Sequence, residues 1–181
     1  ASTVSARFRC TDSSGKVDVK QVERKRQELR RAAGEFTKGI TRRTDPYKAM
    51  LTIYRRLILR TDYDTVGLSA GAGGNVREDD VLRSLYGALV NHKMVCAGYA
   101  VAMQYLLQSV GIPCGCVISE DVRDGTSCHA FNVVKLGREC AYLDATWGDC
   151  SNTGKDGANN LVLYNYLGVP LRELQLCADE D

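Results

Sequence analysis

The chain has 181 residues, 44% of them hydrophobic and 25% charged, a balance that fits an ordinary globular domain and excludes collagen-like, low-complexity and disordered classes. Its 24 Lys and Arg stand against 22 Asp and Glu, for a formal net charge of +2, which removes the electrostatic case for nucleic acid as the main ligand. No apolar run approaches the roughly 20 residues that span a bilayer. Arginines interrupt even Leu57-Ile58-Leu59, so membrane insertion is not expected.

In chain order, residues 1–15 are polar and read as an arm. Residues 17–35 are basic and rich in Glu and Gln, with Val17, Val22 and Leu29 but no dense apolar stripe, which predicts a peripheral helix. Lys20, Arg24, Lys25, Arg26, Arg30 and Arg31 form its solvated side. Residues 1–40 are thus an arm and peripheral helix, and 41–181 carry the rest of a single domain. Asp45-Pro46 places an N-cap before a proline at the first helical position, and Tyr47, Met50, Leu51, Tyr54, Leu57 and Ile58 follow at helical spacing, predicting a core helix. Four glycines within 67–75 read as a surface loop, and no Lys-Ser/Thr follows them to make a phosphate-binding loop.

Val81, Leu82, Leu85 and Leu89 predict an amphipathic helix, and residues 96–110 a helix apolar on all sides and therefore buried, stopped by Gly111-Ile112-Pro113. Beyond Pro113 the period changes to alternation. Strands are expected over 114–119, 130–136 and 140–145, the last two joined by a tight hairpin at Gly137-Arg138. Residues 151–160 are a polar loop, and 161–167 and 171–176 are short apolar closing segments. Helices followed by strands predict an α+β fold, with the N-terminal helices packed on a small antiparallel sheet.

Eight cysteines fall short of the density of a disulfide scaffold. If one is a working thiol, an odd number remains, so at least one more is free, paired between chains or liganded. The chain starts at Ala1 without an apolar leader. With the cysteine content, this gives the expectation of an extracellular or cell-surface protein with some disulfides, Cys10 and Cys177 being one candidate pair because termini often meet at a domain surface. A cytoplasmic location is the alternative.

Three residues carry the candidate chemistry. Cys96 starts the buried helix, where free N–H groups and the helix dipole favour a thiolate, and small Ala97 and Gly98 leave its sulfur accessible. His129 starts one strand and Asp144 ends the next. A two-residue hairpin turn pairs Leu136 with Glu139, hence Val133 with Tyr142 and Phe131 with Asp144, which brings Asp144 close to His129. Singly, each has a bland reading as an inert core thiol, a structural histidine and a turn residue. Together they meet the logic of nucleophilic catalysis.

The N–H of Cys96 is one candidate oxyanion donor, and Asn91, five residues upstream, is a candidate for the second. Tyr99, Asn132 and Trp147 are candidate cleft residues, with packing or backbone pairing as the competing reading. His92 reads as exposed loop. Cys114-x-Cys116 with Cys128-His129 has too tight a spacing for zinc, so no metal or cofactor is expected.

The blocks Val95-Cys96-Ala97-Gly98-Tyr99, His129-Ala130-Phe131-Asn132 and Leu143-Asp144-Ala145-Thr146-Trp147 resemble, in order and spacing, the three signature blocks of the transglutaminase-like superfamily as bacterial members carry them. The resemblance covers residues 45–170. It implies a papain-like core and a Cys-His-Asp triad at Cys96, His129 and Asp144. It also implies acyl transfer on peptide or protein amides through a thioester. The short chain leaves no room for the flanking domains and calcium sites of the large animal transglutaminases, so calcium is not implied, and hydrolysis is expected ahead of crosslinking. The alternative is a non-catalytic protein-binding module that retains the fold.

Overall fold

The computed structural model describes residues 16–64, 82–120, 128–149, 161–171 and 173. Helix α1 (Val19–Thr37) starts at Asp18, whose carboxylate accepts the Gln21 N–H at 3.0 Å, the geometry of an N-cap. Its buried side chains are Leu29, Ala33 and Phe36, one turn apart, whereas Val17 and Val19 are exposed. The helix therefore has a narrow inner stripe near its C-terminal end. Helix α2 (Pro46–Ile58) follows the Asp45-Pro46 signal, with Asp45 accepting the Lys48 N–H at 2.9 Å. It buries Ala49, Met50, Ile53, Tyr54, Leu57 and Ile58 but leaves Tyr47 exposed.

The amphipathic helix expected around Leu82 to Leu89 is present only in part: Leu85 and Tyr86 are α-helical and run into a π-helical turn (Gly87–Asn91), capped by His92 in a left-handed conformation with φ 58°, with Leu82, Leu85 and Leu89 buried. The reason lies in long-range pairing. Strand β1 (Asp62–Tyr63) and strand β2 (Lys93–Met94) form a parallel pair with Tyr63 opposite Met94. The carbonyls of His92 and Met94 accept the N–H groups of Asp62 and Asp64, each at 3.0 Å. Backbone groups that another helical turn would use are committed to β1.

Helix α3 (Cys96–Ser109) buries Gly98, Tyr99, Ala100, Ala102, Met103, Leu106 and Leu107. It stops at Gly111, φ 89°, where the Ile112 N–H returns to the Leu107 carbonyl at 2.9 Å. Strands β3 (Cys114–Glu120), β4 (Cys128–Leu136), β5 (Glu139–Leu143) and β6 (Leu167–Pro170) form one antiparallel sheet in that spatial order. The hairpin register is the one the turn length predicts, Leu136 opposite Glu139 and Val133 opposite Tyr142, around Gly137 at φ 64°. Strand β5 ends at Leu143, and residues 145–148 turn into a short helix α4 (Ala145–Gly148) instead of extending the strand. Mixed helix and antiparallel sheet make this an α+β fold.

The core lies between the helices and the sheet, with Met50, Ile53, Leu57, Leu89, Met103, Leu106, Leu107 and Leu143 all fully buried. Tyr54 links α2 to the chain around α4, donating to the carbonyls of Leu163 at 2.8 Å and Asp144 at 3.2 Å. Cys96, Cys114, Cys116 and Cys140 form no disulfide. The Cys10–Cys177 pair, the arm over 1–15, the glycine-rich loop at 67–75 and the polar loop at 151–160 lie outside the described residues. Among the described residues no helix is long and apolar enough to cross a membrane.

Gly98 sets how closely α3 approaches its neighbours. A Cβ there would lie 2.5 Å from the Leu82 carbonyl oxygen and 2.5 Å from Met94 Cβ, so Gly98→Ala must push the start of α3 away from backbone that cannot yield. Overpacking of this kind costs about 1–3 kcal/mol. Gly34, exposed in the last turn of α1, would carry a methyl group with nothing within 4 Å of it, and Gly34→Ala should stabilise by up to about 0.5–1 kcal/mol. Urea denaturation of both variants checks the contrast, and equal effects would contradict the close packing at Gly98.

Candidate active site

Cys96 is the first residue of α3, and the residue before it, Val95, offers no side-chain cap. The N–H groups of the first turn are therefore available to a negative charge. Burial of Cys96 opposes ionisation, but contact with the His129 imidazole, the N–H groups of Ala130 and Ala97, and the charge on His129 outweigh it. The thiol is held below its ordinary range. Two neighbouring thiols move oppositely: burial, with Cys116 nearby, pushes Cys114 up to about 12, and burial together with the charge of Cys96 raises Cys116.

His129 Nε2 lies 2.5 Å from Asp144 Oδ2. With Nε2 committed to the carboxylate, Nδ1 is the nitrogen left for the thiol. The hydrogen bonds to Asp144 and then to Cys96 raise His129, against partial burial, to about 9. A lowered thiol beside a raised imidazole shifts the balance from the neutral pair towards thiolate and imidazolium.

Asp144 is 0% exposed, and each of its carboxylate oxygens has two partners. Oδ2 takes His129 and the Tyr142 hydroxyl, the latter at 2.8 Å. Oδ1 accepts the N–H groups of Thr146 at 2.9 Å and Trp147 at 3.0 Å, capping α4. One short motif thus ends β5, starts α4 and aims the carboxylate at β4. Trp147, carried on α4 rather than on a strand, stacks on His129 with ring centroids 4.7 Å apart and planes 10° apart, and is 52% exposed. It covers one face of the imidazole and stands at the cleft edge.

The remaining sequence candidates fall elsewhere. Tyr99 is buried, donates its hydroxyl to Asp149 and packs beneath the site, so it does not line the cleft. Asn132 is buried as well. Its amide donates to the carbonyls of Ala100 at 2.9 Å and Gly115 at 3.1 Å, tying α3 to β3, which is a framework role. Asn91 is exposed at the end of the π-helical turn. Tyr63, on β1, is near enough for the charge and backbone of Cys96 to act on its hydroxyl, a neighbour that sequence reasoning missed. Tyr63 precedes Cys96 by more than thirty residues, and only the β1–β2 pairing brings it near. Tyr142 was missed too, although alternation along β5 puts it on the same side as Asp144. Among the described residues there is no group of three or more His, Cys, Asp or Glu able to hold a metal.

The coupling of His129 to its partners makes stability depend on pH in a fixed direction. His129 binds its proton more tightly folded (about 9) than at its ordinary value of 6.5, so its contribution to stability is complete below the unfolded pKa and is lost as pH rises through the folded one. His92 and His129 are the two histidines of the chain, which makes ring-proton NMR titration direct. Cys96→Ala removes the thiol's share and leaves that of Asp144, so the His129 midpoint should fall but stay above 6.5. An unchanged midpoint would show that the thiol and imidazole are not coupled.

No protein-family model matches the sequence, and no curated protein matches it either. Solved structures do resemble it in shape. A protein from Cytophaga hutchinsonii provisionally named a cysteine protease gives a TM-score of 0.46 at 16% identity, over 88% of this chain and 48% of its own. A transglutaminase gives a TM-score of 0.56 at 12% identity, over 83% of this chain. This chain spans 37% of the length of that transglutaminase, and its fold is the transglutaminase-like α+β fold.

Proposed function

We propose that the chain is a thiol enzyme that transfers the acyl group of peptide or protein amides, with Cys96 as nucleophile, His129 as proton carrier and Asp144 as its positioning residue. The observation that carries this reading is the continuous line from Cys96 through the His129 ring to a carboxylate with no exposure to solvent. A module that only binds has no use for a thiol held below its ordinary pKa, nor for an imidazole raised to about 9 beside it.

The steps follow from those positions. The Cys96 thiolate attacks the amide carbonyl carbon, and the carbonyl π pair moves to oxygen. As the carbonyl re-forms, the C–N bond breaks and His129 gives its proton to the departing amine, leaving a thioester. Water or a second amine then attacks the thioester carbonyl carbon, His129 takes the proton of the incoming group, and the C–S bond breaks to release the acid or new amide and return the Cys96 thiolate. Asp144 keeps the proton of the neutral imidazole on Nε2, so that Nδ1 stays free to act.

Two features favour a peptide segment as substrate and water as acceptor. Half-exposed Trp147 stacks on His129 and gives apolar surface beside the reacting groups. The His129 side chain is itself 22% exposed, and access of water to the thioester supports hydrolysis ahead of crosslinking. An extracellular or cell-surface setting belongs to the same proposal.

Brief iodoacetamide treatment near neutral pH, followed by mass spectrometry, should label Cys96 ahead of every other cysteine. Cys96→Ala should abolish turnover of any peptide amide the wild type cleaves. Asp144→Asn, which keeps an oxygen for the α4 cap, should lower turnover by about 10³- to 10⁴-fold through the wrong imidazole tautomer, with KM little changed. Near-wild-type turnover in Asp144→Asn would remove Asp144 from the machinery.

A further inference from the structure

A cavity of about 550 Å³ opens between α1, Arg60 just beyond α2, and the π-helical turn, and none of its lining residues belongs to the candidate active site. Its volume lies in the range that holds a small molecule or an inserted side chain. The floor is apolar: Phe36 and Leu89 are buried there, with Ala32 and Val90 half-buried beside them. Phe36 and Leu89 also belong to the hydrophobic core, so the floor is fixed by packing that does not depend on what fills the cavity.

The charges at the mouth are not paired off against one another. Glu28 is committed to the Tyr86 hydroxyl at 2.5 Å and to Arg24 at 3.7 Å. Arg60 lies over the Phe36 ring, 5.4 Å from its centroid, and donates to the Glu35 carbonyl at 3.4 Å, which holds the guanidinium in place and leaves its other N–H groups to a ligand. Among the described residues no ion pair engages Arg31 or Arg60. The Glu35 carboxylate is the opposing charge left at the rim. His92 stands exposed beside it, its ring 6.3 Å from that of Phe36. The surrounding field has the sign of the two arginines: residues 16–60, which carry α1 and α2, hold fourteen Lys and Arg against five Asp and Glu, whereas residues 61–181 hold eight against sixteen.

We infer that this cavity is a docking site for an acidic peptide segment of a partner protein: an apolar side chain enters over Phe36 and Leu89, and flanking carboxylates meet Arg31, Arg60 and His92. Guanidinium groups take carboxylates through two parallel N–H bonds. The positive surplus extends over two helices, further than one small anion reaches, which favours a run of acidic residues over a lone carboxylate. The apolar floor needs a side chain to fill it, which favours a peptide over a polyphosphate backbone. Docking here is independent of acyl transfer at Cys96.

Two short fluorescein-labelled peptides of Asp and Glu, one with a central Phe and the other with Ala in its place, test this by fluorescence anisotropy on the full chain. The Phe peptide should bind about tenfold more tightly, or better, because only it buries a ring. Arg31→Ala and Arg60→Ala should each weaken its binding about tenfold, whereas Lys135→Ala, exposed on β4, should leave it unchanged. In the wild type, the ring protons of His92 should shift on addition of the Phe peptide and those of His129 should stay.

Equal binding of the two peptides overturns the proposal, because charge alone would then be acting. So does a His92 signal that stays in place, or a Phe peptide that does not bind. Oligothymidylate binding as tightly as the Phe peptide overturns it too, since the surface would then accept any polyanion. The peptide pair and the His92 signal are read on the wild type, so the test stands even if an arginine variant fails to fold.

Discussion

The site depends on a single buried charge. Asp144 is fully enclosed, and an unpaired carboxylate in that position would be strongly destabilising. Four donors compensate it: His129, the Tyr142 hydroxyl and the N–H groups of Thr146 and Trp147. Those donors come from β4, β5 and α4, so satisfying the charge fixes where one strand ends, where a helix starts and which way the imidazole points. Tyr54 secures the same residue from α2 through its carbonyl. Fold and site share these bonds, and a change at Asp144 acts on both.

The second constraint is the close approach at the start of α3. Gly98 admits the Leu82 carbonyl and Met94 against the helix, which brings β2, and through it β1, up to Cys96. At the other side Asn132 ties Ala100 to Gly115. The first turn of α3 is therefore clamped between a two-stranded ladder and the four-stranded sheet. A nucleophile on such a turn gains its lowered pKa from fixed N–H groups and an aligned imidazole, with little reorganisation required.

Charge is also distributed so that one thiol differs from its neighbours. Cys96 has His129 and two backbone N–H groups around it, whereas Cys114 and Cys116, one strand away, are raised by burial and by a nearby thiol. The same residue type is thus made reactive or inert by its surroundings alone. Trp147 adds a π face over the raised imidazole of His129, an arrangement that favours the cationic ring.

Local signals in the sequence determined what depends on a few neighbouring residues. Asp45-Pro46 marked the start of α2 because a cap and a missing N–H act within one turn. Gly111 marked the end of α3, and the two-residue turn at Gly137-Arg138 fixed the β4–β5 register, from which the nearness of Asp144 to His129 follows directly. Other features had no local signal. The helical stretch ends at Asn91 where His92 and Met94 pair with β1, and the burial of Leu29, Ala33 and Phe36 depends on what α1 packs against. Tyr63 reaches Cys96, and residues 145–148 leave the strand to coil around the Asp144 carboxylate, only once distant segments are in contact. Hydrophobic period and turn chemistry are short-range and so are written in the sequence; pairing between two-residue strands and the enclosure of a charge are settled by tertiary packing, because no single segment contains both partners.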